Sequence, residues 1–329
     1  ATGQSEQGKS IGIANEIAFT ATGELDNGMS WKWQTEMDPD AAGATQSDDS
    51  RLEITSGYGT LGIYNTEGDL NTHLKSSAAA YAPGHDFGTT GGYQGGTGIN
   101  GYNNLQYHTP SGLLPYGIMV KAAYSPSGDA IEANDAANAG TSTLNLDNVE
   151  SYQVTAAPID GMTIGASYLS KNGSGDASLT KPEYETGGAF VKYAISAVTV
   201  GFGRHWIEPG SDGANGALAT TTAAYDATAK TVNANVKYFE NTAMSIAFNV
   251  NDDLSLSYDK MESTAEARTI VANTRADTDT SRDLTVDSIQ LAYSMGGMTL
   301  SIGQKDVDGI NYTKAKASKE TLISVKMAF

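Results

Sequence analysis

The stretch 319–329 reads K-E-T-L-I-S-V-K-M-A-F and alternates strictly. Thr321, Ile323, Val325, Met327 and Phe329 fall on one side, and Leu322, Ser324, Lys326 and Ala328 on the other. A period of two is a strand, because successive side chains point to opposite faces of a pleated backbone. Here one face is greasy and the other mostly wet. Repeated many times along a chain, that pattern writes a transmembrane β-barrel: lipid on one side of each strand, an aqueous lumen on the other. No run of about 18 apolar residues occurs, so a membrane-crossing helix is excluded.

A mean hydropathy of −0.32 ordinarily describes a water-soluble protein. In a barrel only alternate strand residues meet lipid, so polar loops and lumen pull the average down. Proline is scarce (8) and glycine frequent (37), which suits long strands joined by tight turns. The absence of cysteine removes disulfides and thiolate chemistry. A net charge of −18 argues against nucleic acid, which needs a basic footprint.

Fifteen strand-like runs can be read, at 11–22, 29–38, 51–55, 60–65, 103–109, 117–125, 150–157, 162–170, 185–194, 198–207, 231–250, 254–261, 284–295, 298–305 and 319–329. Short connections alternate with long ones. The short ones include Asn27-Gly28, Asp160-Gly161 and Gly296-Gly297, dipeptides that tolerate the positive φ of a tight hairpin. The long ones are rich in Gly, Ser, Thr, Ala and Asp and fall at 39–50, 66–102, 126–149, 171–184, 208–230, 262–283 and 306–318. A rim of tight turns opposite a rim of long loops is barrel construction. Parity holds within runs: Met29, Trp31, Trp33 and Met37 oppose Ser30, Lys32, Gln34, Glu36 and Asp38. In 231–250, Met244, Ile246, Phe248 and Val250 oppose Asn241, Ser245 and Asn249. Trp31, Trp33, Tyr124, Tyr168, Trp206 and Tyr258 suit interfacial girdles. If all short turns share one rim, the first and last runs point the same way. Antiparallel closure then predicts about sixteen strands, with the first ahead of residue 11. Since residues 1–10 read as a loop, that strand is expected to lie outside this sequence.

Gly57-Tyr58-Gly59-Thr60-Leu61-Gly62 resembles the porin turn into a strand that precedes the third long loop. Asn103-Asn104-Leu105-Gln106-Tyr107-His108-Thr109-Pro110 is similar to the porin strand that follows it, continued by Gly117–Tyr124. Val250-Asn251-Asp252-Asp253-Leu254-Ser255-Leu256-Ser257-Tyr258 is similar to a late porin hairpin. In order and spacing these resemble the Gram-negative general porins over essentially the whole chain.

The resemblance implies one barrel domain over 1–329, with long extracellular loops, short periplasmic turns and 66–102 folded inward as a pore-constricting loop. It implies a homotrimer in the outer membrane, in contact with lipid and lipopolysaccharide, passing small hydrophilic solutes without a cofactor. Glu67, Asp69 and Asp86 become the acids of the constriction, faced by Lys32, Arg51 and Lys121 on the wall. Glu36, Glu53, His108 and Lys237 also fall on lumen parity. The terminal Phe329 resembles the family's assembly signal.

Enzymatic chemistry is not expected. His73, His85, His108 and His205 lack metal-ligand spacing. Asp277-Thr278-Asp279, placed in a long loop, lacks the glycine and bidentate glutamate of a calcium loop. Inward carboxylates such as Glu16, Glu36, Glu53 and Asp259 stand in a wet lumen, where burial is missing to shift a pKa. The expected function is passive diffusion with a mild preference for cations, because charges around a pore set its ion preference. The alternative is a substrate-specific channel of the same fold; such channels use aromatic ladders, and only Phe190 and Phe239 read as inward aromatics.

Overall fold

A computed structural model describes residues 17–37, 49–84, 92–96, 98–126, 145–174, 184–208, 236–271, 274–312 and 316–327. They form fifteen strands: β1 (Ile17–Glu24), β2 (Ser30–Met37), β3 (Ser50–Ser56), β4 (Gly59–Asn65), β5 (Asn104–His108), β6 (Met119–Ser125), β7 (Asn145–Ala156), β8 (Met162–Ser174), β9 (Tyr184–Ile195), β10 (Val198–Glu208), β11 (Val236–Asn249), β12 (Leu254–Val271), β13 (Thr274–Met295), β14 (Met298–Asp308) and β15 (Ala317–Met327). Each pairs only with its sequence neighbours, antiparallel, in one sheet ordered β1 to β15. Among the described residues no ladder joins β15 back to β1. Both edges are odd-numbered in an alternating sheet and so run the same way.

Register sorts the side chains as the alternation predicts. Across β10, β11 and β12, Val200 sits opposite Ile246 and Ile246 opposite Tyr258, while Gly201, Ser245 and Asp259 form the next row. The first row is exposed and the second lies against protein. Ile17, Phe19, Leu52, Ile54, Leu61, Ile63, Met244, Ile246, Ile289, Ile323 and Val325 are all exposed, several by half or more. Continuous apolar exposure of this extent is costly in water, so its solvent is hydrocarbon. On β8–β15 the band ends, counting away from the short turns, at ionic and aromatic residues: Tyr168, Trp206 and Tyr258 stand beside Arg204 paired with Glu240 and Lys319 paired with Asp306. Tyr168 donates to Glu185 (2.8 Å) and Tyr258 to Asp287 (2.5 Å). An aromatic ring with a polar tip suits a place where hydrocarbon meets water.

Several boundaries differ from the sequence expectation. The run 11–22 becomes Ile17–Glu24, its first six positions lying outside the described residues, and in 231–250 the strand is Val236–Asn249, with 231–235 outside the described residues. The largest correction concerns 262–283, expected as a loop. Here β12 and β13 continue as a long hairpin to the pair Val271↔Thr274, so Asp277-Thr278-Asp279 lies within a strand. The segment's charges concealed the strand; in register Arg268 pairs with Asp277, and Thr264 donates to Asp283 at 2.7 Å. Polar and β-branched residues in register make a stable ladder without an apolar face.

Candidate functional site

The segment after β4 leaves the rim and lies along the polar face of the sheet. It touches successive strands in order. Gln106 of β5 donates to the Gly68 carbonyl (2.6 Å) and Gln153 of β7 to that of Leu70 (2.8 Å). The Thr72 amide donates to Ser167 of β8 (3.0 Å), and Lys192 of β9 reaches the Ser77 carbonyl (3.5 Å). Ala78 N–H finds Ser245 of β11 (2.7 Å), and Ala80 N–H finds Ser257 of β12 (2.8 Å). Gln290 of β13 accepts from Tyr81 and Ala82 and donates back to the Ala82 carbonyl. One segment can meet β5 and β13 along a single face only if the sheet curls around it. A segment away from bulk water must pair its backbone groups, and here wall side chains serve as the partners. Asn104 ties the two roots together, donating to the carbonyls of Glu67 (3.2 Å) and Tyr102 (2.9 Å).

Farther from the short turns the contact turns apolar. Leu70, Tyr93, Ile99 and Tyr102 of the loop pack with wall residues including Val149, Leu169, Ile207, Phe239, Leu284 and Val286. Tyr184 is buried there too, and Lys171 stacks over its ring (4.5 Å) and over Tyr102 (5.2 Å). The inward aromatics are thus more than Phe190 and Phe239, since Tyr64, Tyr93, Tyr102, Tyr184 and Tyr312 are also buried. They are consumed in packing and form no exposed ladder.

The charged part of the site centres on Arg51 of β3. Its guanidinium donates to Glu67 of the loop at 2.7 Å and to Gln34 of β2 at 2.8 Å. Glu67 also feels the charges of Asp49, Glu53 and Glu36, so acids outnumber the one guanidinium that acts on it. Burial raises the Glu67 pKa above its ordinary value; Arg51 opposes the rise and the neighbouring acids add to it. Glu53 accepts from Tyr64 at 2.6 Å, and Lys32 lies opposite Glu53 in register. Asp69 accepts the Asn71 amide at 2.8 Å. Its side chain is exposed to water, yet the loop atoms around it desolvate the carboxyl and raise its pKa, against the Asn71 amide and Lys75. Lys121 of β6 is half-buried, opposite His108 in register and within electrostatic reach of Lys75 and Glu53. His108 is hydrogen-bonded to Gln106 at 2.8 Å.

The structure therefore pairs Arg51 with Glu67 and brings Glu36 and Glu53 within electrostatic reach of that loop acid; Asp69 stands farther along the same loop, and Lys121 and His108 stand on the wall. Both signs occur on the loop and on the wall; the wall acids Glu36 and Glu53 were expected from their parity, whereas the loop cation Lys75 was not singled out. Asp86, His85, Glu16 and Phe329 lie outside the described residues, as does the side chain of Lys237. One chemical expectation is corrected: burial is not missing in this lumen. Asp259 is 2% exposed because the loop covers it, and Ser77 and Gln290 donate to its two oxygens, each at 3.3 Å. The wall residues that hold the loop, Gln153, Ser167, Ser245, Ser257 and Gln290, were not singled out from sequence. Their inward parity was the only available signal.

With this geometry in view, comparisons with solved structures are informative. A porin superposes with a TM-score of 0.62 at 15% identity, covering 95% of this chain and 92% of its own. OmpF of Salmonella typhi, in complex with daunomycin, gives 0.62 at 13% identity, covering 98% and 93%. The anion-selective porin of Comamonas acidovorans gives 0.56 at 8% identity, covering 97% and 90%. These likenesses show the fold, which is that of the outer-membrane β-barrel porins. No protein-family model matches the chain, and no curated protein does.

Proposed function

We propose that this protein is an outer-membrane channel through which small hydrophilic solutes and ions diffuse passively, with the loop 66–102 as its constriction and a mild preference for cations. The observation that carries the reading is a polar segment held inside a curled wall whose outer face is apolar. The bilayer then surrounds the wall, and the only wet route across runs past the loop. Glu67 and the acids whose charges it feels, Glu36, Asp49 and Glu53, outnumber its partner Arg51 and give that part of the route a negative balance. Charges lining a pore set the local ion concentration, and each acts over roughly 8 Å at physiological salt, so a wide pore discriminates weakly. Lys32 and Lys121 moderate the field; Asp86 and Lys237 belong to the same proposed lining, and Phe329 to assembly. The homotrimer and the contact with lipopolysaccharide that the resemblance implies belong to the same reading.

The test is the reversal potential of the purified protein in a planar bilayer under a potassium chloride gradient. A potential of the sign for potassium preference supports the reading, and one for chloride preference overturns its selectivity part. Native mass measurement tests the trimer: a monomer in mild detergent and in lipid nanodiscs would remove it.

A further inference from the structure

We propose that Gly201 of β10, together with Gly203, is the positioning element that sets how far the constriction loop stands from the wall, and hence the bore of the channel. The inference rests on the loop being the constriction. Elsewhere wall side chains such as Ser245, Ser257 and Gln290 reach out to loop backbone. At β10 the loop comes down onto the strand itself. A Cβ on Gly201 would overlap the Ser76 carbonyl. A Cβ on Gly203 would come within 2.9 Å of the Ser76 Oγ and 3.2 Å of its Cβ. Ser76 is 1% exposed.

The backbone conformation does not require these glycines. Neither has a positive φ, and both sit in regular ladders, Gly201 between Lys192 and Ser245, Gly203 between Phe190 and Ala243. Glycine weakens a strand interior and marks a place where another backbone approaches closely. Ser76 is that approach. The loop is pinned on both sides of it, by Thr72 on Ser167 and by Ala78 on Ser245. A side chain at 201 or 203 therefore cannot slide Ser76 along the wall, and the remaining free direction is into the lumen. Lining position and pore radius together govern passage, so a methyl group on the far side of the loop narrows the route without changing any charge.

The test compares single-channel conductance of the wild-type protein with Gly201→Ala, Gly201→Val, Gly203→Ala and the double variant Gly203→Ala/Ser76→Gly. Conductance is expected to fall from wild type to Gly201→Ala and further to Gly201→Val. Gly203→Ala should also lose conductance and recover it with Ser76→Gly, since that clash is with a side chain. Ser76→Gly should not rescue Gly201→Ala, whose clash is with the Ser76 carbonyl. If the Gly201 variants fail to insert, the Gly203→Ala and Ser76→Gly pair decides. Wild-type conductance in Gly203→Ala, or no recovery in the double variant, overturns the inference while leaving the channel reading intact. A wild-type protein that forms no pore at all overturns both.

Discussion

Arg51 and Glu67 join the wall to the root of the inward-folded loop: the guanidinium of β3 meets the loop carboxylate at 2.7 Å, with both side chains about one-fifth exposed. The contact is an anchor as well as a charge pair, because Asn104 also holds the carbonyl of the same Glu67. The arginine pairs with Glu67, and that carboxylate also feels the charges of Asp49, Glu53 and Glu36. The pair is partly wet, so its net contribution to stability is modest, on the order of 1 kcal/mol, and its larger effect is on the field in the pore.

Changing Arg51→Gln is expected to strengthen cation preference, because the carboxylates lose their central counter-charge. Glu67→Gln is expected to weaken it. The two changes share one ion pair, so the double variant should depart from additivity. Reversal potentials of the three variants under one salt gradient check this, and equal potentials in all would remove the pair from the ion path.

Acid should erode cation preference early. Desolvation raises the carboxyl pKa values of Glu67 and Asp69, so both lose charge at a higher pH than ordinary carboxylates, about 4. Each protonation removes a negative charge, so selectivity declines as pH falls towards those raised values. Reversal potentials measured from neutral pH downward test the sign. Constant selectivity until the ordinary carboxylate range would place both groups away from the route.

Gln290→Leu should loosen the loop. It removes three hydrogen bonds to the loop, two accepted from loop amides and one donated to the Ala82 carbonyl, together with the donations to Asp259 and Ser288 on the wall. Backbone groups left unpaired away from water cost about 1–3 kcal/mol each. Lower thermal stability of the folded barrel and noisier single-channel current are the expected readouts. Unchanged stability together with quiet current would mean that the loop does not depend on this anchor.

Neighbouring residues of β15 should respond oppositely to the same charge. Ile323 is 65% exposed on the outer face, whereas Ser324 falls on the inner one. Lysine on the lipid side near mid-membrane costs about 2–4 kcal/mol, so Ile323→Lys should impair folding into lipid vesicles and Ser324→Lys should be tolerated. Heat-dependent electrophoretic mobility separates folded from unfolded protein for this comparison.

Much of this fold was legible in the sequence because a barrel strand announces both of its solvents. The parity of Met244, Ile246 and Phe248 against Asn241 and Ser245 is visible in the letters and appears in the structure as outer and inner faces. Alternation does not tell what third body lies against the inner face. Ser257 and Gln290 look like any lumen residue until the loop arrives, and Gly201 looks like a weak point in a strand. Val149, Leu169, Leu284 and Val286 break the polar parity of the lumen because loop residues cover them. The hairpin of β12 and β13 was missed for the opposite reason: 262–283 carries charged and polar residues on both parities, so the letters hold no alternation to read.

The most direct test of the central claim, an aqueous route through a lipid-embedded wall narrowed by an inward loop, is the conductance of the purified protein in a planar bilayer. Stepwise current increments, linear in voltage and with a reversal potential favouring cations, are predicted. A protein that inserts into the bilayer as folded barrel yet carries no current would contradict the account.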